Sequence, residues 1–296
     1  MLTTTLLILA VHATARPTLA QGRAVEPPRD QTERQDIETA DDLLRELETA
    51  DQGLEQLTAT IAYSKFDPFA YSRQERRGTL QFQSVPRPGE NGGESKPPKR
   101  TFGVRFTQLI RDGHLDEIER IYIFDGHWFA EKDPAERFMD KREVVRPGEE
   151  ADPLRIGEGP FPIPIGQRRA DLLERFNARL PEPFEGLEIT PDMDDEERSG
   201  IENLRRFASD AIQLHLVPKA QFQEQSDHVE VRLWYKRDKT GRLLPRMART
   251  LSEDGAVSTV QLINVKINEN AELDPDIMST EAPEGWDVQI RTWEGP

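Results

Sequence analysis

Residues 118–145 read IERIYIFDGHWFAEKDPAERFMDKREVV, and this stretch decides the fold. Ile121 and Ile123, then Asp125-Gly126, then Trp128 and Phe129 spell strand, tight turn, strand. Asp-Gly between apolar alternations is a strong hairpin signal, because glycine supplies the positive φ that such a turn needs. A second turn follows at Asp133-Pro134, and Phe138 to Val145 reads as a third strand. The stretch is therefore expected to be an antiparallel meander with one apolar and one charged face, at the centre of a curved sheet.

The flanking sequence extends that sheet. Thr58 to Lys65 alternates through Ala59, Ile61 and Tyr63, and Gly78 to Val85 alternates through Leu80 and Phe82. Both read as half-buried strands, and Phe102-Gly-Val-Arg-Phe106 resumes the pattern. Pro86 to Pro98, rich in Pro, Gly, Glu and Lys, reads as a hairpin tip. Four further strands are expected at Ile212–Val217, Val229–Tyr235, Arg242–Leu251 and Ser258–Ile267, with hairpin turns at Asp238–Gly241 and Glu253-Asp254-Gly255. Upstream, Ile37, Ala40, Leu43, Leu44, Leu47, Ala50, Leu54 and Leu57 follow the three-and-four spacing of one amphipathic helix over Ile37–Leu57.

Between the two groups of strands lies a different kind of sequence. Arg146 to Gly159 is a polar loop. Phe161-Pro-Ile-Pro-Ile165 is apolar, yet its two prolines remove ladder donors, so it is expected to lie against a core or over a cavity mouth. Ala170 to Leu180, carrying Leu172, Leu173, Phe176 and Leu180, reads as a short amphipathic helix, and Pro181 to Gly200 as a turn-rich acidic segment. The sum is an α+β architecture.

Composition limits the function. The chain has 296 residues, 35% hydrophobic and 32% charged, with a formal net charge of −16. Such acidity excludes a nucleic-acid partner, whose binding needs a basic footprint, and disfavours permanent docking on anionic lipid. With no cysteine there is no disulfide framework, thiolate metal site or lipidated N-terminal Cys. Residues 1–20 contain the run LLILAV followed by small residues, too short to span a bilayer and matching a secretory signal peptide, although no positive charge precedes it. Residues 21–35 read as a flexible linker, and 36–296 as a single domain. A periplasmic or otherwise exported location is expected.

Catalytic signals are absent. His12, His114, His127, His215 and His228 form no HExxH or other close ligand spacing, and there is no Gly-x-Ser-x-Gly elbow, P-loop or GxGxxG. Asp192-Met-Asp-Asp-Glu-Glu could be set against Ca²⁺, but it lacks the loop glycine and spaced ligands of an EF-hand and reads as a solvated charge run. No enzyme, metal or cofactor is expected.

In order along the chain, Gly78-Thr-Leu-Gln-Phe, Phe102 to Gln108, the Asp125-Gly126 turn with Trp128 and Asp133-Pro134, Leu216-Val-Pro-Lys219, the turn at 238–241, Asn264 and Pro283-x-Gly-x-x-Val288 resemble the LolA-type periplasmic lipoprotein carriers and the wider lipoprotein-localisation-factor superfamily. The resemblance covers roughly residues 37–290, and relative to it the segments near 86–99 and 181–200 are insertions. It implies an incomplete antiparallel β-barrel, a curved sheet closed by helices around an apolar cavity for the acyl chains of a lipoprotein or lipid. It also implies membrane-bound donor and acceptor proteins, a monomer, and an early-strand arginine tying down a helical lid. Arg73, Arg76, Arg77 and Arg105 all lie in that region, and no motif picks one.

The candidate cavity lining is Leu80, Phe82, Phe102, Val104, Phe106, Ile121, Ile123, Trp128, Phe129 and Phe138. Ordinary packed core is the competing reading for each of them. Phe161, Ile163, Ile165, Leu172, Leu173 and Phe176 are the lid candidates. The leading expectation is an exported carrier that shields acyl chains. The alternative is an envelope sensor or partner-binding module on the same fold.

Overall fold

A computed structural model describes residues 37–87, 96–111, 113–145, 165 and 168–293. The expected signal peptide and linker, the tip of the 86–98 hairpin, the 146–159 loop, and Phe161 and Ile163 lie outside the described residues.

Helix α1 (Ala40–Asp51) opens with a capping box. Thr39 Oγ1 accepts from the Asp42 amide at 3.1 Å, and Asp42 Oδ2 accepts from the Thr39 amide at 3.0 Å, so two orphan donors are satisfied together. Ala40, Leu43, Leu44 and Leu47 form its buried stripe. The helix is shorter than the apolar spacing predicts. It stops before Gly53, which has φ +74°, and Leu57 already belongs to a strand.

Six strands then follow in a meander: β1 (Gln56–Asp67), β2 (Ser72–Arg87), β3 (Lys96–Arg111), β4 (His114–Phe124), β5 (Trp128–Asp133) and β6 (Phe138–Glu143). Helix α2 (Arg169–Arg175) leads into β7 (Phe176–Arg179), and α3 (Asp195–Ala208) precedes β8 (Ile212–Pro218), β9 (Glu230–Arg237), β10 (Leu243–Leu251) and β11 (Val257–Ile267). A single turn of helix, α4 (Pro275–Met278), and β12 (Asp287–Arg291) complete the described chain. All twelve strands share one sheet, in the order β12-β6-β5-β4-β3-β2-β1-β11-β10-β9-β8-β7. Neighbours are antiparallel except β12 on β6. The sheet is curved and its edge strands β12 and β7 do not meet, which is consistent with an incomplete barrel.

Three expectations need correcting. The 118–145 meander forms as read, but it lies towards one end of the sheet. Successive hairpins carry the chain outward from β1, whose other edge is taken by β11. The expected helix over 170–180 ends at Arg175, because 176–179 pairs with β8 and the Lys219 ammonium and amide donate to the Leu173 and Arg175 carbonyls. The acidic segment 181–200 contains the start of α3, where Asp194 and Glu197 make a second capping box.

Register sorts the side chains onto two faces. The front carries Ala59, Ile61, Leu80, Phe82, Phe102, Val104 and, across the β1–β11 pair, Val260 and Leu262. It continues through Ala248 to Val231, Leu233, Leu214 and Leu216, which α1 and α2 cover. The back carries Trp234 and Met247 under α3, and Ile121, Ile123, Ala130 and Met139 under α4 and Trp286.

Candidate functional site

The front of β1–β5 is the most aromatic surface of the described chain. Leu80, Phe82, Phe102, Val104, Phe106 and Phe129 lie there in one cluster with Leu57, Ile61 and Phe124. Phe102 meets Phe124 at 6.0 Å between ring centroids, Phe106 meets Tyr122 at 6.0 Å, and Tyr122 meets Phe129 at 6.2 Å. These are tilted and edge-on pairs, the geometries favoured by ring quadrupoles. Charged side chains border the rings: Glu131 is opposite Tyr122, Arg120 opposite Phe106, and Arg142 lies 5.1 Å from the Phe129 ring. Burial pushes the Tyr122 phenol up, with the Glu131 carboxylate adding to the effect.

The remaining candidate residues are divided. Ile121 and Ile123 sit on the back with Ala130, Met139 and Ile277. Trp128 shares their parity through the β4–β5 and β5–β6 pairs, with the Lys141 ammonium 5.1 Å from its ring, and is partly exposed. Phe138, partly exposed, pairs with Asp133 and Asp287 beside the sheet edge. Alternation alone separates Ile123 from Phe124, since successive strand residues point to opposite faces.

The lid candidates also part company. Ile165 is buried in the aromatic cluster of the strands. Leu172 and Phe176 are buried with α1 and β8–β10, and Leu173 packs against that second cluster. Helix α2 is tied down from both ends. Arg169 Nε donates to Asp41 at 2.5 Å and its amide to Glu48 at 2.9 Å, while Lys219 Nζ donates to the Leu173 carbonyl at 2.6 Å.

The two halves of the front face are therefore covered differently. Over β8–β10 lie two helices, α1 packing on β10 and on α2. Over β1–β5, the members of the aromatic cluster from outside the strands are Leu54 and Ile165, neither of them helical. A cleft of 610 Å³ between the end of α1 and the β2–β3 hairpin, lined by Gln52, Leu54, Ser84 and Pro98 among others, adjoins that cluster at Leu54.

Of the four early-strand arginines, Arg76 is opposite Tyr63 on the front, and the other three are on the back. Arg105 donates to Asp274 at 2.9 Å and so secures the segment that leads into α4 on the back. Arg77 pairs with Glu75. Arg73 lies 6.0 Å from the Phe66 ring.

The sequence reading passed over one polar network on the back. His215, 6% exposed, shares a 3.0 Å hydrogen bond with Glu230, and Arg232 donates to Glu230, Glu185 and Gln213. The His215 hydrogen bond first, then Arg232, holds the Glu230 carboxyl down at about 2. The available signal was Gln213 and His215, then Glu230 and Arg232, at alternate positions of two strands whose intervening residues are apolar. Asp192 to Glu197, read as a charge run, passes from a turn through the N-cap Asp194 into the first turn of α3. Among the described residues no group of three or more His, Asp or Glu is placed to hold a metal ion, and no helix is long and apolar enough to cross a membrane.

No known protein family matches the chain, and no curated protein matches it by sequence. Solved structures do. An uncharacterized conserved protein from Thermus thermophilus is similar over 85% of this chain and 99% of its own, at 11% identity and a TM-score of 0.41. A LolA superfamily protein from Nitrosomonas europaea is similar over 81% of this chain and 97% of its own, at 12% identity and a TM-score of 0.32. A DUF1329 family protein from Desulfovibrio piger covers 80% of this chain and 97% of its own, at 11% identity and a TM-score of 0.34. The superfamily that the sequence resembles is thus among its structural neighbours. Likeness at this level carries no information about a ligand.

Proposed function

We propose that the protein is an exported carrier that shields the acyl chains of a lipoprotein or lipid on the front face of β1–β5. The observation that carries this reading is the buried aromatic and aliphatic face on which, among the described residues, no helix packs. In this reading α1 and α2 close the incomplete barrel over β8–β10, Ile165 lies over the aromatic cluster, and the space beside it takes apolar chains. Acyl chains need no specific polar contact. Each buried CH₂ contributes about 0.8 kcal/mol, so a few chains suffice for tight binding.

Uptake and release follow displacement of the lid at Ile165 when a partner docks, while α2 stays anchored to α1 and β8 by the contacts of Arg169 and Lys219. No cofactor takes part and no bond is broken. The protein works as a monomer in the periplasm, receiving its cargo from a membrane-bound donor and passing it to a membrane-bound acceptor.

The test is a fluorescent apolar-probe titration of the chain from residue 21 onward, competed by a triacylated peptide and its unacylated twin. Displacement by the acylated peptide alone is expected. Absence of saturable probe binding would overturn the carrier reading and leave a packed core.

A further inference from the structure

The back of the sheet holds a second site that the carrier reading does not use. A cleft of 490 Å³ lies between α3 and the back of β1, β2, β10 and β11. That is within the roughly 300–1,000 Å³ range of small-molecule sites. Its floor follows from register. Arg249, Thr259, Ser64 and Glu75 form one row across four strands, and Val257, Phe66 and Arg73 form the next. Its opposite wall is α3, with Ile201 and Leu204 facing the floor. A smaller adjoining cleft of 190 Å³ shares Phe66, Arg73, Glu75 and Glu197 and continues to Tyr71.

The charges in this cleft are out of keeping with the chain. Acidic residues outnumber basic ones 55 to 39, yet three arginines line the cleft, and among the described residues only Arg77 meets a carboxylate at ion-pairing distance, while Arg73 and Arg249 do not. Arg73 lies over the Phe66 ring and reaches α3, where a Cβ on Gly200 would stand 3.1 Å from its Nη1. Arg249 donates to the Gly186 carbonyl. The acids of the lining are already engaged: Glu75 accepts from Arg77 at 2.5 Å, and Glu197 from the Asp194 amide at 3.1 Å. Burial lowers the Arg249 pKa; Glu230 opposes the shift and Arg232 adds to it, followed by weaker opposition from Glu188 and repulsion from Arg73. A cleft lined by two such guanidinium groups, neither paired with a carboxylate among the described residues, offers an oxyanion charge-assisted hydrogen bonds, and those are the strong ones.

We propose that this cleft binds a small anionic amphiphile, with its carboxylate or phosphate head between Arg73 and Arg249 and its apolar body against Phe66, Val257, Ile201 and Leu204. Ser64, Thr259 and Gln261 supply hydrogen-bonding groups on the floor. The site is on the opposite face from the proposed acyl-chain surface, so either can stand without the other.

The experiment is calorimetric titration of the full chain with decanoate, decyl phosphate and decanol, each below its aggregation concentration. The two anions distinguish a carboxylate from a phosphate head, and decanol reports the apolar contribution alone. Saturable one-site binding of decanoate or decyl phosphate is expected, with decanol at least tenfold weaker. Arg73→Gln weakens the anion about tenfold, and Leu204→Trp, which fills the cleft from α3, abolishes it. Both variants leave displacement of the apolar probe by the triacylated peptide within twofold, which separates this site from the front face. Failure of both anions to bind, decanol binding as tightly as they do, or anion binding unchanged in Arg73→Gln would overturn the proposal.

Discussion

Gly103 has no side chain because the chain on the back of the sheet leaves no room for one. A Cβ there would stand 1.8 Å from the Ile277 carbonyl oxygen, which is backbone and cannot yield locally. Gly103→Ala is therefore expected to lift α4 from β3 and cost about 1–3 kcal/mol, the usual range for overpacking. Denaturant unfolding measures the cost, and faster amide exchange confined at first to 274–286 identifies its source. Glu230 gives a second prediction with a definite sign. Its carboxyl is held at about 2 in the folded state, against 4.5 for the free group. The stabilisation is thus fully present above pH 4.5 and is lost as pH falls towards 2. Glu230→Gln removes that component, so its stability should fall less than the wild type's between pH 5 and pH 2.5. The difference should be about 1–2 kcal/mol once the part-exposed side chain is allowed for. Equal slopes in urea titrations at the two pH values would show that the His215–Glu230–Arg232 contacts carry no such linkage.

Among the elements, α3 shows how local signals compete in a charged sequence. Asp194 to Glu197 and the apolar positions Ile201, Leu204 and Phe207 are an N-terminal capping box followed by helical spacing. Read as composition, the same residues look like a solvated acidic run. Asp194→Ala should cost about 1 kcal/mol by removing the cap, with amide exchange faster in the first turn of α3 and unchanged in α1. The strands were more legible, since period-two alternation from 58 to 65, 78 to 85 and 212 to 267 has no comparable rival. Two helix ends depart from the apolar spacing for one physical reason. Leu54 and Leu57 continue the helical spacing of α1, and Phe176 that of α2, but strand pairing at 57 and at 176–179 decides where each helix stops. Such pairing joins residues more than 200 positions apart in the case of Leu57 and Ile267, and no local pattern records it.

At the scale of the whole molecule, the carrier reading assigns apolar cargo to one face of a twelve-stranded sheet. The sequence supplied a list of apolar strand residues without dividing it: alternation separates Ile123 from Phe124 within β4, but carrying that parity across to Trp128 and Phe129 needs the register set at the Asp125 turn. There Asp125 Oδ1 accepts from the amides of His127 and Trp128 at 3.0 and 2.7 Å, and its other oxygen accepts from Thr280 at 3.0 Å. With the division made, two substitutions of similar burial become unequal probes. Phe102 and Ile123 are both fully or almost fully buried, one on the front with Phe82 and Phe124, the other on the back under Ile277. Phe102→Ala and Ile123→Ala should each destabilise the protein by about 2–5 kcal/mol through lost transfer energy and cavity formation. Their effects on cargo should diverge. If acyl chains lie on the front face, Phe102→Ala weakens the triacylated peptide at least fivefold, because it removes part of the contact surface, while Ile123→Ala leaves its affinity within twofold. Equal weakening by both would mean that affinity tracks global stability, and the front face would then be ordinary core. Stability and binding are thus read from the same pair of variants, and only the face separates them.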